Sequence, residues 1–181
     1  MSDSFAIVAR ETLLTSYVFS VERRTIAHAG EEYKRDIAVH RGAVAMVAVN
    51  ERDEVGLVRQ YRASADQVLW EIPAGTIDAS DTDPLATAQR ELLEEMGVHA
   101  ATWRRIARVY VSPGWTDQVM HIYEARDLTV SQRAPEGPEE TAAQVVWLSR
   151  QQVRELLEGD HLNDATLTIG LRHYLGVDAD S

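Results

Sequence analysis

Glu91, Glu94 and Glu95 crowd one turn and a half of sequence, directly behind Arg90 and just ahead of Gly97. If the segment is helical, at roughly 100° per residue the three acids fall within about a 100° arc. Like charges at i,i+4, such as Glu91 and Glu95, cost roughly 0.2–0.5 kcal/mol on a helix surface. Their position near the negative end of the helix dipole adds to that cost. Two readings follow. Either this is a solvated acidic face with Arg90 pairing Glu94 at i,i+4, or it is a site for a hard cation. In the second case carboxylate oxygens hold Mg²⁺, with Mn²⁺ as an alternative, and leave positions open for phosphate oxygens.

The elements that must position these acids are legible on both sides. Asp83 is a good N-cap, Pro84 suits the first helical position, and Gly97 fits a left-handed C-cap. Leu85, Ala88 and Leu92 make an apolar stripe on another face of the same helix. Ahead of it, Gln67–Ile72 reads as a strand that breaks at Pro73-Ala74-Gly75 and crosses a polar loop. Further upstream, residues from about Leu13 to His40 alternate apolar and polar groups around Ala29-Gly30, which predicts a two- or three-stranded antiparallel unit. GAVAMVAV, Gly42–Val49, is apolar enough for a strand covered on both faces. Asn50–Asp53 supplies a turn and Glu54–Arg62 the paired strand.

Downstream, Thr102–Val111, Val119–Ala125 and Gln144–Leu148 read as strands. A turn at Ser112-Pro113-Gly114 and a polar loop at Ser131–Thr141 separate them. Helices are expected at Gln151–Glu158, stopped by Gly159, and Asp164–Leu175, stopped by Gly176. Trp70 and Trp147 sit in apolar strands and read as core, whereas Trp115, in a loop, is placed to line a pocket. His40 and His121 have no partner at metal-ligand spacing and read as structural. Many strands with few helices argue for a mixed α+β domain.

Composition removes several classes of function. The 181 residues fit one domain with a small appended unit, and the content of 45% hydrophobic, 5 Pro and 10 Gly is that of a globular chain. The net charge of -11, with 18 basic residues that form no long run, excludes nucleic-acid binding as the main role. No stretch approaches the roughly 20 apolar residues of a bilayer crossing, and the first residues show no secretion-signal pattern. Without cysteine there is no disulfide, thiol catalysis or thiolate zinc site. A cytoplasmic protein is expected.

Gly75 and the run Arg90-Glu91-Leu92-Leu93-Glu94-Glu95-Met96-Gly97-Val98 resemble the signature of the Nudix hydrolases. The second half of that signature, R-E-U-x-E-E-x-G-U with U aliphatic, is matched at every specified position. The loop departs from it: Gly75 and Arg90 are one residue further apart, which leaves Asp81 or Thr82 where the family carries a glutamate. GAVAMVAV, LVRQYR, LWEIPAG, YVSPGWTDQ and GDHLNDATLTIGL are similar to the ADP-ribose pyrophosphatase branch.

That resemblance implies an α/β/α sandwich around a mixed sheet (residues 42–181), preceded by a small antiparallel β unit (residues 1–41), in a homodimer. It implies divalent-metal-dependent hydrolysis of ADP-ribose to AMP and ribose 5-phosphate, clustered metals neutralising the diphosphate and activating water. Glu91 and Glu95 would hold metal with the Ala74 carbonyl, Glu94 would ligate or orient, and Arg90 would steady the carboxylates. Arg62 would contact the diphosphate or terminal ribose with Glu71 beside it, Pro113 and Trp115 would lie near substrate, and Arg35 would reach a partner subunit's pocket. The base would come from Glu140 or Glu139, with Glu136 third. Another nucleoside diphosphate sugar or a dinucleotide as substrate, or a non-catalytic ADP-ribose sensor, are the alternatives.

Overall fold

The computed structural model describes residues 4–81, 83–135, 137–159 and 164–176. Thr82, Glu136 and the Asp160–Asn163 part of the C-terminal motif lie outside the described residues.

The alternating N-terminal segment forms a three-stranded antiparallel meander, β1 (Ala6–Thr15), β2 (Phe19–His28) and β3 (Glu31–His40). Ala29 and Gly30 both take positive φ, 52° and 88°, which gives the hairpin between β2 and β3 the twist of a primed turn. β1 is exposed along its whole length. The C-terminal end of β3 is fastened to the rest of the chain through the turn before Val119. Ala38 N–H donates to the Trp115 carbonyl (2.9 Å), and Thr116 Oγ1 donates to the Ala38 carbonyl (2.8 Å). Asp117 accepts from the His40 N–H (2.9 Å) and from Arg24 Nη2 (2.8 Å).

The second sheet has seven strands. Its path is β10 (Gln144–Leu148), β5 (Val55–Arg62), β4 (Ala43–Val49), β9 (Val119–Val130) and β8 (Val98–Tyr110), with β6 (Gln67–Glu71) on β5 and β7 (Ala74–Thr76) on β4. β4 runs parallel to β9 and every other pairing in this sheet is antiparallel, so the sheet is mixed. β4 is buried at every position. Its odd residues Ala45, Val47 and Val49 pack on α3 (Arg150–Glu158) and α4 (Ala165–Leu175) through Val153, Leu167 and Leu171. Its even residues Val44, Met46 and Ala48 pack on α1 (Pro84–Met96) through Ala88, Leu92 and Met96. A strand with period two buried on both faces thus produces the α/β/α sandwich of an α+β fold.

β4 and β5 pair only at Ala48–Gly56 and Val49–Val55 and then diverge. β6 and β7 occupy the widening gap, with Met46 N–H donating to the Pro73 carbonyl (2.8 Å). The chain therefore crosses from one strand to the other at Pro73-Ala74, under the C-terminal half of α1.

Three expectations need correction. The strand expected from Thr102 begins at Val98, because Gly97 adopts φ 67° and reverses the chain at once into pairing with β9. β9 continues past Ala125 to Val130 to match it. The loop expected over Ser131–Thr141 contains α2 (Gly137–Ala142), a six-residue helix with Glu139 and Glu140 in its first turn. Replacing Gly97 by Ala forces a side chain into the left-handed region, costing roughly 1–2 kcal/mol. It also places a methyl group 2.9 Å from the Arg133 nitrogen and 3.1 Å from the Ser131 oxygen. Urea unfolding of Gly97→Ala should show at least that loss; unchanged stability would contradict the cap.

Candidate active site

α1 begins where expected, with the Asp83 side chain accepting from Leu85 N–H and Pro84 in the first turn. The apolar stripe pins the helix over the gap, and this aims its acids at the crossing chain. Of the two readings of this helix, a solvated acidic face does not describe Glu91 and Glu95, which are 8% and 2% exposed. Ala74 N–H donates to Glu95 Oε2 (3.0 Å). Glu91 packs on Gly75 so closely that a methyl group at residue 75 would lie 1.9 Å from Glu91 Cδ and 2.2 Å from its Oε1. The glycine is needed for lack of a side chain, not for backbone freedom.

Burial disfavours the ionised form of both acids. Burial pushes Glu91 up to about 7, with Arg90 opposing and Glu94 and Glu140 adding to it. Glu95 is raised to about 8 by burial, opposed by the Ala74 N–H and reinforced by Glu91 and Glu140. Arg90 is the cation beside them, and it is shared: Nη1 lies 2.8 Å from Glu94 and 3.0 Å from Glu91, and Nη2 lies 3.5 Å from Asp81 and 3.6 Å from Asp78. Asp81 also accepts from the Asp78 N–H (2.9 Å) and Thr87 Oγ1 (2.8 Å), so its carboxylate closes the loop onto the helix. The longer loop is thereby tied to Arg90.

Gln60 and Arg62 are alternate residues of β5, and Glu71 of β6 stands opposite Val58, so all three belong to the α1 face of the sheet. Arg62 grips Glu71 with two bonds, Nε to Oε1 at 2.7 Å and Nη2 to Oε2 at 2.5 Å, and Gln60 Nε2 adds a third at 3.1 Å. Arg62 borders two clefts. One, about 350 Å³, runs between Gln60 and α2 and is lined by Glu139 and Glu140. The other, about 230 Å³, reaches Ala74, Asp164 and Thr166. Asp164 caps α4 by accepting from the Leu167 N–H (2.8 Å). Its carboxyl is raised by burial, which that bond opposes and Glu71 reinforces.

The remaining expected residues lie elsewhere. Arg35 is on β3, stacked 4.7 Å over the Tyr33 ring and donating to the Lys34 carbonyl. Pro113 is exposed, and Trp115, 59% exposed, sits in the turn anchored to β3. Trp70 and Trp147 are partly buried, each packed against one core cluster. His40 Nδ1 accepts from the Gly42 N–H (2.9 Å), a structural role. Gln60, Asp117 and Asp164 were not singled out as site or anchoring residues from the sequence. Asp164 carried one signal, its place at a helix start.

The donor set fits a hard divalent cation. Two buried carboxylates, drawn together against a strand-end backbone and short of positive charge, are relieved by one. Among the described residues no three His, Asp or Glu side chains are grouped to hold a metal ion, and Glu94 lies with Glu91 beside Arg90 Nη1. Two carboxylates with a backbone oxygen, the rest being water or phosphate, is the ligand supply Mg²⁺ accepts. The linkage sign follows from the raised values. Between about 4.5 and 8 the native state holds more protons than the unfolded chain, so stability falls as pH rises through that window. Mg²⁺ should therefore raise the melting temperature more at about pH 8.5 than at about pH 5.5. An equal shift at both, followed by scanning calorimetry, would contradict this.

The NUDIX domain family matches residues 39–168, well over half of the chain. An ADP-ribose pyrophosphatase of Mycobacterium tuberculosis (strain ATCC 25618 / H37Rv) is 32% identical over 165 residues, covering 90% of this chain and 80% of the relative. One from Bacillus subtilis (strain 168) is 32% identical over 144 residues, 80% of this chain and 77% of the relative. A GDP-mannose pyrophosphatase of Cronobacter sakazakii (strain ATCC BAA-894) is 26% identical, over 82% of this chain and 78% of its own length. The crystal structure of an ADP compounds hydrolase superposes with a TM-score of 0.80 at 24% identity, over 98% of this chain and 97% of that one, and shows the same fold. The match over residues 39–168 and the relatives at 32% identity show that the chain belongs to the Nudix hydrolase family.

Proposed function

We propose that the protein hydrolyses the diphosphate linkage of ADP-ribose, giving AMP and ribose 5-phosphate, with Mg²⁺ as cofactor and Mn²⁺ as an alternative. The observation that carries this reading is the buried Glu91–Glu95 pair packed on Ala74-Gly75 beside the Arg62–Glu71 pair. Relatives at 32% identity that bear the name ADP-ribose pyrophosphatase support the choice of substrate.

In this reading Glu91, Glu95 and the Ala74 carbonyl hold the cation, and Glu94 orients Arg90, which steadies the carboxylates. When bound, the cation supplies charge neutralisation and Lewis acidity at the diphosphate. The chain's residues do the rest. Arg62 has five N–H donors, and Glu71 takes two of its bonds, so the guanidinium is fixed in direction with donors left for phosphate or ribose oxygens. Glu140 is the base. Its charge is felt by both Glu91 and Glu95, whereas that of Glu139 is felt by Arg62 and Tyr61. Glu140 takes a proton from water as the water oxygen attacks phosphorus and the bridging P–O bond breaks.

We further infer a homodimer through residues 1–41. Phe5, Val8, Leu14 and Tyr17 are exposed on or beside β1, Tyr17 by 93%, and a second copy would cover them. Arg35, Pro113 and Trp115 then lie where one copy can complete the substrate wall of the other.

ADP-ribose should be the best substrate in a product assay over diphosphate-linked nucleotides with Mg²⁺; a clear preference for GDP-mannose or UDP-glucose would overturn the substrate. Glu95→Gln should lose at least about two orders of magnitude in rate, a ~3 kcal/mol loss of transition-state stabilisation. Glu140→Gln should lose about 10²-fold or more, the scale of a missing general base. A Glu139→Gln variant that suffers the larger loss would reassign the base.

A further inference from the structure

The short segment that leads from β9 to α2 lies against the C-terminal end of α1. Ser131 N–H donates to the Gly97 carbonyl (2.7 Å) and Ala134 N–H to the Glu94 carbonyl (3.2 Å), sealing the last turn of α1. Between those two bonds stands Arg133. Its Cγ and backbone nitrogen approach Gly97 so closely that a methyl group there would meet them at 2.8 and 2.9 Å. Its guanidinium turns the other way: Nη2 donates to the Glu140 carbonyl (3.3 Å) and Nη1 to the Ala143 carbonyl (3.4 Å). Nε is buried with no hydrogen-bond partner among the described residues.

α2 depends on such a contact. Isolated helices shorter than about 12–15 residues are marginal in water, and α2 has six residues, none of them buried and none basic in its last turn. The Glu140 carbonyl already accepts from the Ala143 N–H (3.1 Å), so the guanidinium adds a second bond there, one to the carbonyl just past the helix, and a cation at the negative end. One side chain thereby links the C-cap of α1 to the C-terminal end of α2.

We propose that Arg133 is a positioning residue, which sets the α2 glutamates at a fixed distance from the Glu91–Glu95 pair. Its guanidinium bonds go to backbone carbonyls of the α2 end, so it acts through that helix. The proposal rests on the reading of Glu140 as base, and its effect on rate is exerted through that residue.

The test uses the full chain with Arg133→Met and Arg133→Lys. Amide hydrogen exchange over residues 137–143 should quicken about tenfold or more in Arg133→Met, while the amides of α1 keep their protection. With Mg²⁺ and ADP-ribose, kcat should fall about tenfold or more with KM within about twofold, the pattern of a group needed only in the transition state. Arg133→Lys, which can reach a single carbonyl, should recover part of both. Should Arg133→Met fail to fold, Arg133→Lys alone carries the comparison, with intermediate values expected. Unchanged exchange over 137–143 would overturn the tether. Faster exchange with unchanged kcat would show that Arg133 serves the fold alone and overturn the proposal. A wild-type chain inactive on every diphosphate tried would sink the base assignment instead, leaving exchange to judge the tether.

Discussion

Two carboxylates taken out of water side by side are the constraint on which this structure turns. A buried acid without compensating charge is among the most expensive things a core can contain. Here Glu91 and Glu95 are buried together, with one N–H on the second and a shared arginine on the first. The surrounding architecture makes that placement unavoidable. β4 and β5 separate after two paired residues, the chain crosses the gap at Pro73-Ala74, and a glycine there lets Glu91 come down onto the backbone. The apolar stripe of α1 against Val44, Met46 and Ala48 then holds the helix in register with the gap. The energy that packs the stripe is spent keeping the acids where they would not go alone.

Charge around the pair is graded rather than merely present. Arg90 spreads one positive charge over four carboxylates, so none of them is fully neutralised. Arg62 does the opposite, committing to Glu71 with bidentate geometry and a further bond from Gln60. The first arrangement leaves room for added positive charge, and the second leaves a directed, permanently charged fork at the edge of two clefts.

Much of this was legible locally. Asp83, Pro84 and Gly97 are signals that act within a few residues, and α1 spans the expected stretch. GAVAMVAV could be read as doubly covered because its apolar run allows nothing else. What escaped the sequence depends on distant partners. Ser131–Thr141 reads as a polar loop because Pro135 and Pro138 interrupt it and a six-residue helix carries no period, yet Gly137 and Pro138 open α2. Nothing near Arg133 in sequence indicates the carbonyls it reaches, and nothing near Asp117 indicates Arg24. The burial of Glu91 and Glu95 is likewise invisible to helical spacing, which assigns them a face but not its depth. The family resemblance implies a metal-ligand role for them but says nothing of their depth.

Asp117 has a wider consequence. It holds the β3 end through His40 N–H and β2 through Arg24, and its own backbone N–H donates to the Ala38 carbonyl at 3.3 Å. The turn with Pro113 and Trp115 is therefore geared to the N-terminal sheet rather than to the sandwich it emerges from. The turn and the end of β3 are fixed to one another, with Asp117 at the junction. Trp115 thus stands at a seam of five hydrogen bonds between the meander and the turn, the Ala38–Trp115 and Thr116–Ala38 bonds joining the three of Asp117.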